Sequence, residues 1–197
     1  MKYVNLMSIS LVLLLIGGLS FAQSFKLDSE PDGFRGIKWK TDLSTLSGMK
    51  YYRTSEMDGS VPVDLWDFDR GKPIREIHLE IYLRIKDKLK IEETELERIE
   101  YGFWKGKFCE ATITTRGSEN WASFRKTVFE KFGKGRRSSF KSPFVSVEGF
   151  EWYIWVGKIA EMELMYRESS QIGKLWIGST LLREHIFKEV RQKAKGS

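Results

Sequence analysis

Cysteine and histidine are the side chains best suited to nucleophilic, acid-base or metal chemistry near neutral pH, and this chain of 197 residues has one Cys and two His. They are Cys109, His78 and His185, each in a different segment. A thiolate beside an imidazole would make a nucleophile, and either imidazole beside a carboxylate would make a general base. No spacing in the chain pairs them. Cys109 lies in an alternating stretch and reads as a small, half-buried strand residue, because unpaired Cys is among the most buried side-chain types. His78 stands among charged neighbours on the polar side of a strand, and His185 borders the apolar stripe of a helix. A solvated or packed imidazole is the simpler account of both.

Two further constellations invite a ligand. Asp64, Asp67 and Asp69 come close together before an Arg70-Gly71-Lys72-Pro73 turn. Their spacing matches no calcium loop and lacks the terminal bidentate Glu, so a strand with a solvated acidic face explains them and no metal site is expected. The densest basic cluster is Lys131, Lys134, Arg136, Arg137 and Lys141, set among Gly and Ser. Phosphate-bearing headgroups or an acidic protein face are the anions it could meet, with a solvated loop as the plainer reading. It follows a helix where a phosphate loop would open one, so neither a nucleotide nor any other cofactor is expected.

Which anions are reachable depends on the compartment. Lys2, an apolar run from Leu6 to Leu19, and Ser20-Phe21-Ala22 have the layout of a secretory signal peptide, with small residues at minus three and minus one of a cut after Ala22. The run falls short of the roughly 20 residues of a spanning helix and is broken by Gly17 and Gly18. Residues 1 to 22 are therefore expected to be removed, leaving Gln23 first and no transmembrane segment. Export to the periplasm, or beyond it to the medium, is expected, which makes nucleic acid an unsuitable target. No Cys adjoins the junction to carry a lipid. A single Cys forms no internal disulfide, so stability must come from an apolar core, which a chain of this length can supply. The composition is mildly basic, with 33 Lys and Arg against 27 Asp and Glu.

The elements that must position these residues follow from periodicity. Residues 23 to 33 are polar and turn-rich and suit a flexible, exposed lead-in, with a single domain spanning 34 to 197. Ile37 and Trp39 precede a short helical turn through Leu43 and Leu46, ended by Gly48. Ile77, Leu79, Ile81, Leu83 and Ile85 alternate with polar residues, the pattern of a strand with one wet face. Charged residues 86 to 100 are mostly strand and turn. Ile99, Tyr101, Phe103, then Lys105-Gly106, then Phe108, Ala111 and Ile113 form a hairpin whose apolar phase slips once, which predicts a bulge near Cys109 and Glu110. Residues 118 to 132 place Trp121, Phe124, Val128 and Phe132 at helical spacing between Ser118, expected as the N-cap, and Gly133. A meander follows through Val145 and Val147, then 152 to 156, 162 to 166 and 175 to 177. A terminal helix capped by Ser179 or Thr180 then presents Leu182, Ile186 and Val190 on one face.

The exported leader, the F-x-G-I-x-W opening at Phe34 to Trp39, the I-x-Y-x-F-W-x-G-K-F hairpin at Ile99 to Phe108, the helix ending in Phe132-Gly133 and the late Trp-rich meander resemble uncharacterised bacterial exported proteins of the periplasm. The resemblance implies a single α+β domain and no assigned activity or site residues.

The expected fold is α+β, an antiparallel twisted sheet of about six to eight strands with one helix on a face and a C-terminal helix at an edge or end. The expected function is a non-catalytic periplasmic binding or interaction protein, its partner an envelope protein or an anionic lipid headgroup. Two alternatives stand beside it: an envelope hydrolase using Cys109 or a His with carboxylates, and an anionic membrane-surface binder acting through the basic loop 131 to 141.

Overall fold

The computed structural model describes residues 25–56, 66–67, 72–73, 78–138 and 149–195. The expected leader and its cut after Ala22, Asp64, Asp69, Lys141 and the strand at Val145 and Val147 lie outside the described residues, as does the side chain of Asp67.

Alternation builds one eight-stranded sheet from β1 (Met49–Glu56), β2 (His78–Arg84), β3 (Arg98–Trp104), β4 (Lys107–Arg116), β5 (Arg136–Arg137), β6 (Phe150–Val156), β7 (Ala160–Arg167) and β8 (Ile172–Ser179). Every pairing is antiparallel, and the order is β5-β6-β7-β8-β4-β3-β2-β1. Each central strand therefore lies beside a partner reached by a short turn or, for β4 and β8, by the connection that carries the first helix and the β5 to β7 meander. The phase slip in the β3–β4 hairpin is resolved by a shift of register between Phe108 and Glu110. The bulge lets Phe108, Ala111 and Ile113 all face the same core although their spacing is uneven.

That core lies on the first face of the sheet. Tyr101, Phe103, Phe108, Ala111, Ile113, Trp155, Met162, Leu164 and Ile177 are buried there under α1 (Ser118–Phe132), which contributes Trp121, Phe124, Val128 and Phe132. Each fully buried apolar side chain is worth roughly 1.5–3 kcal/mol, so this layer supplies most of the stabilisation. Glu119 in the first turn and Lys131 in the last complement the helix dipole. The cap is Gly117 and not Ser118, with φ 93°, and Ser118 is the first helical residue. A backbone that leaves β4 at positive φ needs a residue without a Cβ at that position.

The second face is covered in part by α2 (Thr180–Lys195). The terminal helix was expected at an edge or end, yet Leu182 packs with Leu79, Ile81 and Cys109 in a second cluster that Trp104 flanks. The reason lies in β2. Ile81 stands opposite Gly102, and Tyr82 opposite Tyr101, so the aliphatic side of β2 faces away from α1. Its other side is not wholly wet either, because Tyr82 meets Phe103 at 5.3 Å on the first face.

The lead-in also differs from expectation over its described part. Phe25 is buried and meets Phe132 edge-on at 6.2 Å, and Lys26 N–H donates to the Phe132 carbonyl at 2.9 Å. One carboxylate oxygen of Glu30 accepts the N–H groups of Ile159 and Ala160. Residues 25 to 33 are a strap fastened to the domain, its ordering offset jointly by the burial of Phe25 and by the hydrogen bonds of Lys26, Glu30, Pro31 and Asp32.

Candidate functional site

The part of the second face that α2 approaches is organised around Glu110. Its cross-strand neighbours are Gly102 on β3 and Gly178 on β8. A Cβ on Gly102 would lie 2.4 Å from Glu110 Cγ, so the glycine is what lets this side chain lie flat across the sheet. Trp176 Nε1–H donates to Glu110 Oε2 at 3.0 Å. Arg183 descends from α2 with its guanidinium 4.8 Å from the Trp176 ring and donates to Glu161 Oε2 at 3.1 Å. A small cleft is enclosed by Cys109, Glu110, Trp176, Ser179, Arg183 and Ile186. Burial pushes the Glu110 carboxyl above the usual carboxylate range, against the opposing pull of the Trp176 N–H and the Arg183 charge.

Away from α2 the face is open and mixed in charge. Register places Glu100, Thr112, Trp176, Glu163 and Ile154 in one row and Arg98, Thr114, Lys174, Met165 and Trp152 in the next. Trp152 Nε1–H donates to Glu163 Oε2 at 3.2 Å, and burial raises the Glu163 carboxyl. Glu100 is paired with Arg98 at 3.2 Å and Arg53 at 3.6 Å, and both guanidiniums lie over the Tyr52 ring, at 5.5 and 6.0 Å. Each indole is thus pinned by a carboxylate and each arginine by a carboxylate and an aromatic face. Such an array holds its donors and planes in fixed positions, which suits recognition.

The residues singled out from sequence fall in separate places. Cys109 is buried, donates to the Gly102 carbonyl at 3.4 Å, and has a thiol pushed well up, chiefly by burial. His185 is exposed and meets the Trp104 ring edge-on at 5.5 Å, and His78 is exposed at the start of β2. Lys131 and Lys134 are exposed at the C-terminal end of α1. Arg136 and Arg137 pair with Ile154 and Tyr153, so successive side chains of β5 point to opposite faces of the sheet. The basic run is therefore split by its own backbone, with Arg136 on the mixed-charge face. Glu110, Glu163, Trp152, Trp176 and Arg183 were not recognised from sequence as a group. Their polar alternation with Ala111, Ile113, Leu164 and Ile177 is a legible sign of a second face, but nothing local joins Glu110 to a tryptophan 66 positions away.

Among the described residues no group of three or more His, Cys, Asp or Glu could hold a metal ion, and no helix is long and apolar enough to cross a membrane. No protein-family model, curated protein or solved structure matches this chain.

Proposed function

We propose that this chain is an exported, non-catalytic binding protein of the bacterial envelope, and that the open part of the second sheet face is its contact surface. The observation that carries the reading is the pinned array itself: five strands contribute Tyr52, Arg53, Arg98, Glu100, Trp152, Glu163 and Lys174 to one face, where Trp152 is tied to Glu163, Glu100 to Arg53 and Arg98, and Arg98 to Tyr52. Aromatic planes and arginines fixed before binding lose little entropy on binding, which is what a recognition surface requires. Mixed charge on a face this broad fits a protein partner better than a small anion. The hydrolase alternative is the weaker reading, since the Cys109 thiol, although it lines a cleft with Glu110, hydrogen-bonds to a backbone carbonyl, and both His78 and His185 are exposed, the latter against Trp104.

The test is capture from the native envelope with the chain beginning at Gln23, which keeps all the packing described above. A partner retained by this chain should be lost by more than about tenfold with Trp152→Ala or Arg98→Glu, on the scale of an interface hot spot. It should be retained by Ala122→Lys on the exposed side of α1. Equal retention by all three variants refutes the contact surface, and recovery of the native polypeptide from cytosol with Met1 in place refutes export.

A further inference from the structure

One end of the molecule gathers cations and exposed aliphatics from four segments that are remote in sequence. The strap brings Lys26 and Leu27 to the end of α1 through the bond from Lys26 N–H to the Phe132 carbonyl. Lys131 and Lys134 stand on either side of that carbonyl, and all three ammonium groups are on exposed side chains. Glu30, further along the strap, fixes the β6–β7 turn by accepting from Ile159 and Ala160, which sets Lys158 and Ile159 beside it. The start of α2 closes the group, where Thr180 N–H donates to the Ile159 carbonyl at 3.0 Å and Leu181 follows. Leu27 is 87% exposed, Leu181 52% and Ile159 41%.

Exposed aliphatics interleaved with lysines are a costly arrangement in water. They are favourable where acyl chains and anionic headgroups meet, because the aliphatics leave water while each lysine stays at headgroup level. The acidic groups at this end do not cancel the field. Asp28 is exposed there and the Glu30 carboxylate, which accepts two backbone N–H groups, keeps its charge, but the four lysines at positions 26, 131, 134 and 158 outnumber these two carboxylates. The chain also runs from this end into residues 1 to 24, with their apolar run from Leu6 to Leu19. A nascent chain whose leader is in the membrane would therefore hold this end close to the lipid surface.

We infer that Lys26, Lys131, Lys134 and Lys158, with Leu27, Ile159 and Leu181, form a peripheral docking surface for an anionic membrane. This goes beyond the protein-binding face proposed above and uses different residues. It rests on the export reading only in that the chain meets an envelope membrane. The docking itself is tested on the chain beginning at Gln23, so that the leader contributes nothing.

Co-sedimentation with vesicles decides the matter. The chain should bind phosphatidylcholine vesicles containing about one third phosphatidylglycerol, and should lose most of that binding when NaCl is raised from about 0.05 to about 0.5 M. Each Lys→Gln change at the four positions should weaken binding about fivefold, and Leu27→Asn with Ile159→Asn should weaken it by more than about tenfold at unchanged salt slope. Lys86→Gln, in the turn after β2, should change nothing. Equal binding to pure phosphatidylcholine, no binding to the anionic vesicles, or binding indifferent to both sets of substitutions overturns the inference. Loss of a captured envelope protein with Leu27→Asn, in a chain that ignores vesicles, would make this end a protein contact and also overturn it.

Discussion

Glu110 carries a pH dependence that can be worked out from its surroundings. The groups facing it are Trp176 and Gly178 on β8, Gly102 and Glu100 on β3, Arg53 on β1 and Arg183 on α2, and burial outweighs the favourable ones, so its carboxyl is held above the ordinary range. A raised carboxyl binds its proton more tightly in the folded state. Its contribution to stability is therefore complete below the unfolded value of about 4.3 and is lost as pH rises through the folded value. Glu163 acts in the same direction. Glu110→Gln keeps an acceptor for the Trp176 indole without a charge to bury. Thermal melts of the two proteins should coincide near pH 4 and separate as pH rises, with the variant the more stable at neutral pH. Parallel curves across that range would show that the carboxyl stays ordinary. Cys109, one residue away, sits on the same face with its thiol pushed up, chiefly by burial.

Among the elements, α1 is the one whose removal the fold could least withstand. Its apolar stripe is buried against five strands, and Phe124 at its centre is fully covered. Phe124→Ala should cost about 3–5 kcal/mol in urea unfolding, because the rigid sheet beneath cannot collapse into the space left. Ala122→Lys on the exposed side should stay within about 0.5 kcal/mol. A Phe124→Ala loss below about 1 kcal/mol would mean that α1 rides on the sheet without being part of the core. The strap and α2 play a lesser part, each filling what α1 leaves uncovered: Phe25 closes the end of the first layer, and Leu182 the apolar strip on the second.

At the scale of the whole molecule, two surfaces are presented in different directions. The pinned array occupies the second face of the sheet, and the lysine-and-aliphatic end lies where the strap, α1, the β6–β7 turn and α2 converge. The sheet between them is continuous from β6 to β3, so the two surfaces are held at a fixed relative orientation and share no residue. They should therefore act independently. Reversing the lysines at positions 26, 131, 134 and 158 to Glu should abolish vesicle binding while leaving partner capture within about twofold, as expected for sites without shared contacts. A parallel loss of both would mean that the membrane end and the sheet face form one functional unit. The net charge of +6 favours approach to anionic surfaces in general, but the field that matters is local, and the split of Arg136 from Arg137 shows how the backbone redistributes a basic run.

The α+β class, the β3–β4 hairpin with its bulge at Cys109, the boundaries of α1 and the apolar face of α2 were all written in the sequence, because alternation and helical spacing are local properties that burial on one side imposes. Strand order was not, since nothing local says that β4 pairs with β8. The strap is not legible in the sequence for a related reason. Phe25 is one apolar residue among polar ones, and only the tertiary structure supplies Phe132 as its partner and the Ile159 and Ala160 amides as partners for Glu30. Both candidate surfaces are of this second kind: their residues are ordinary one by one, and they become a surface only when long-range pairing, whose register depends on the whole sheet, brings them to one place.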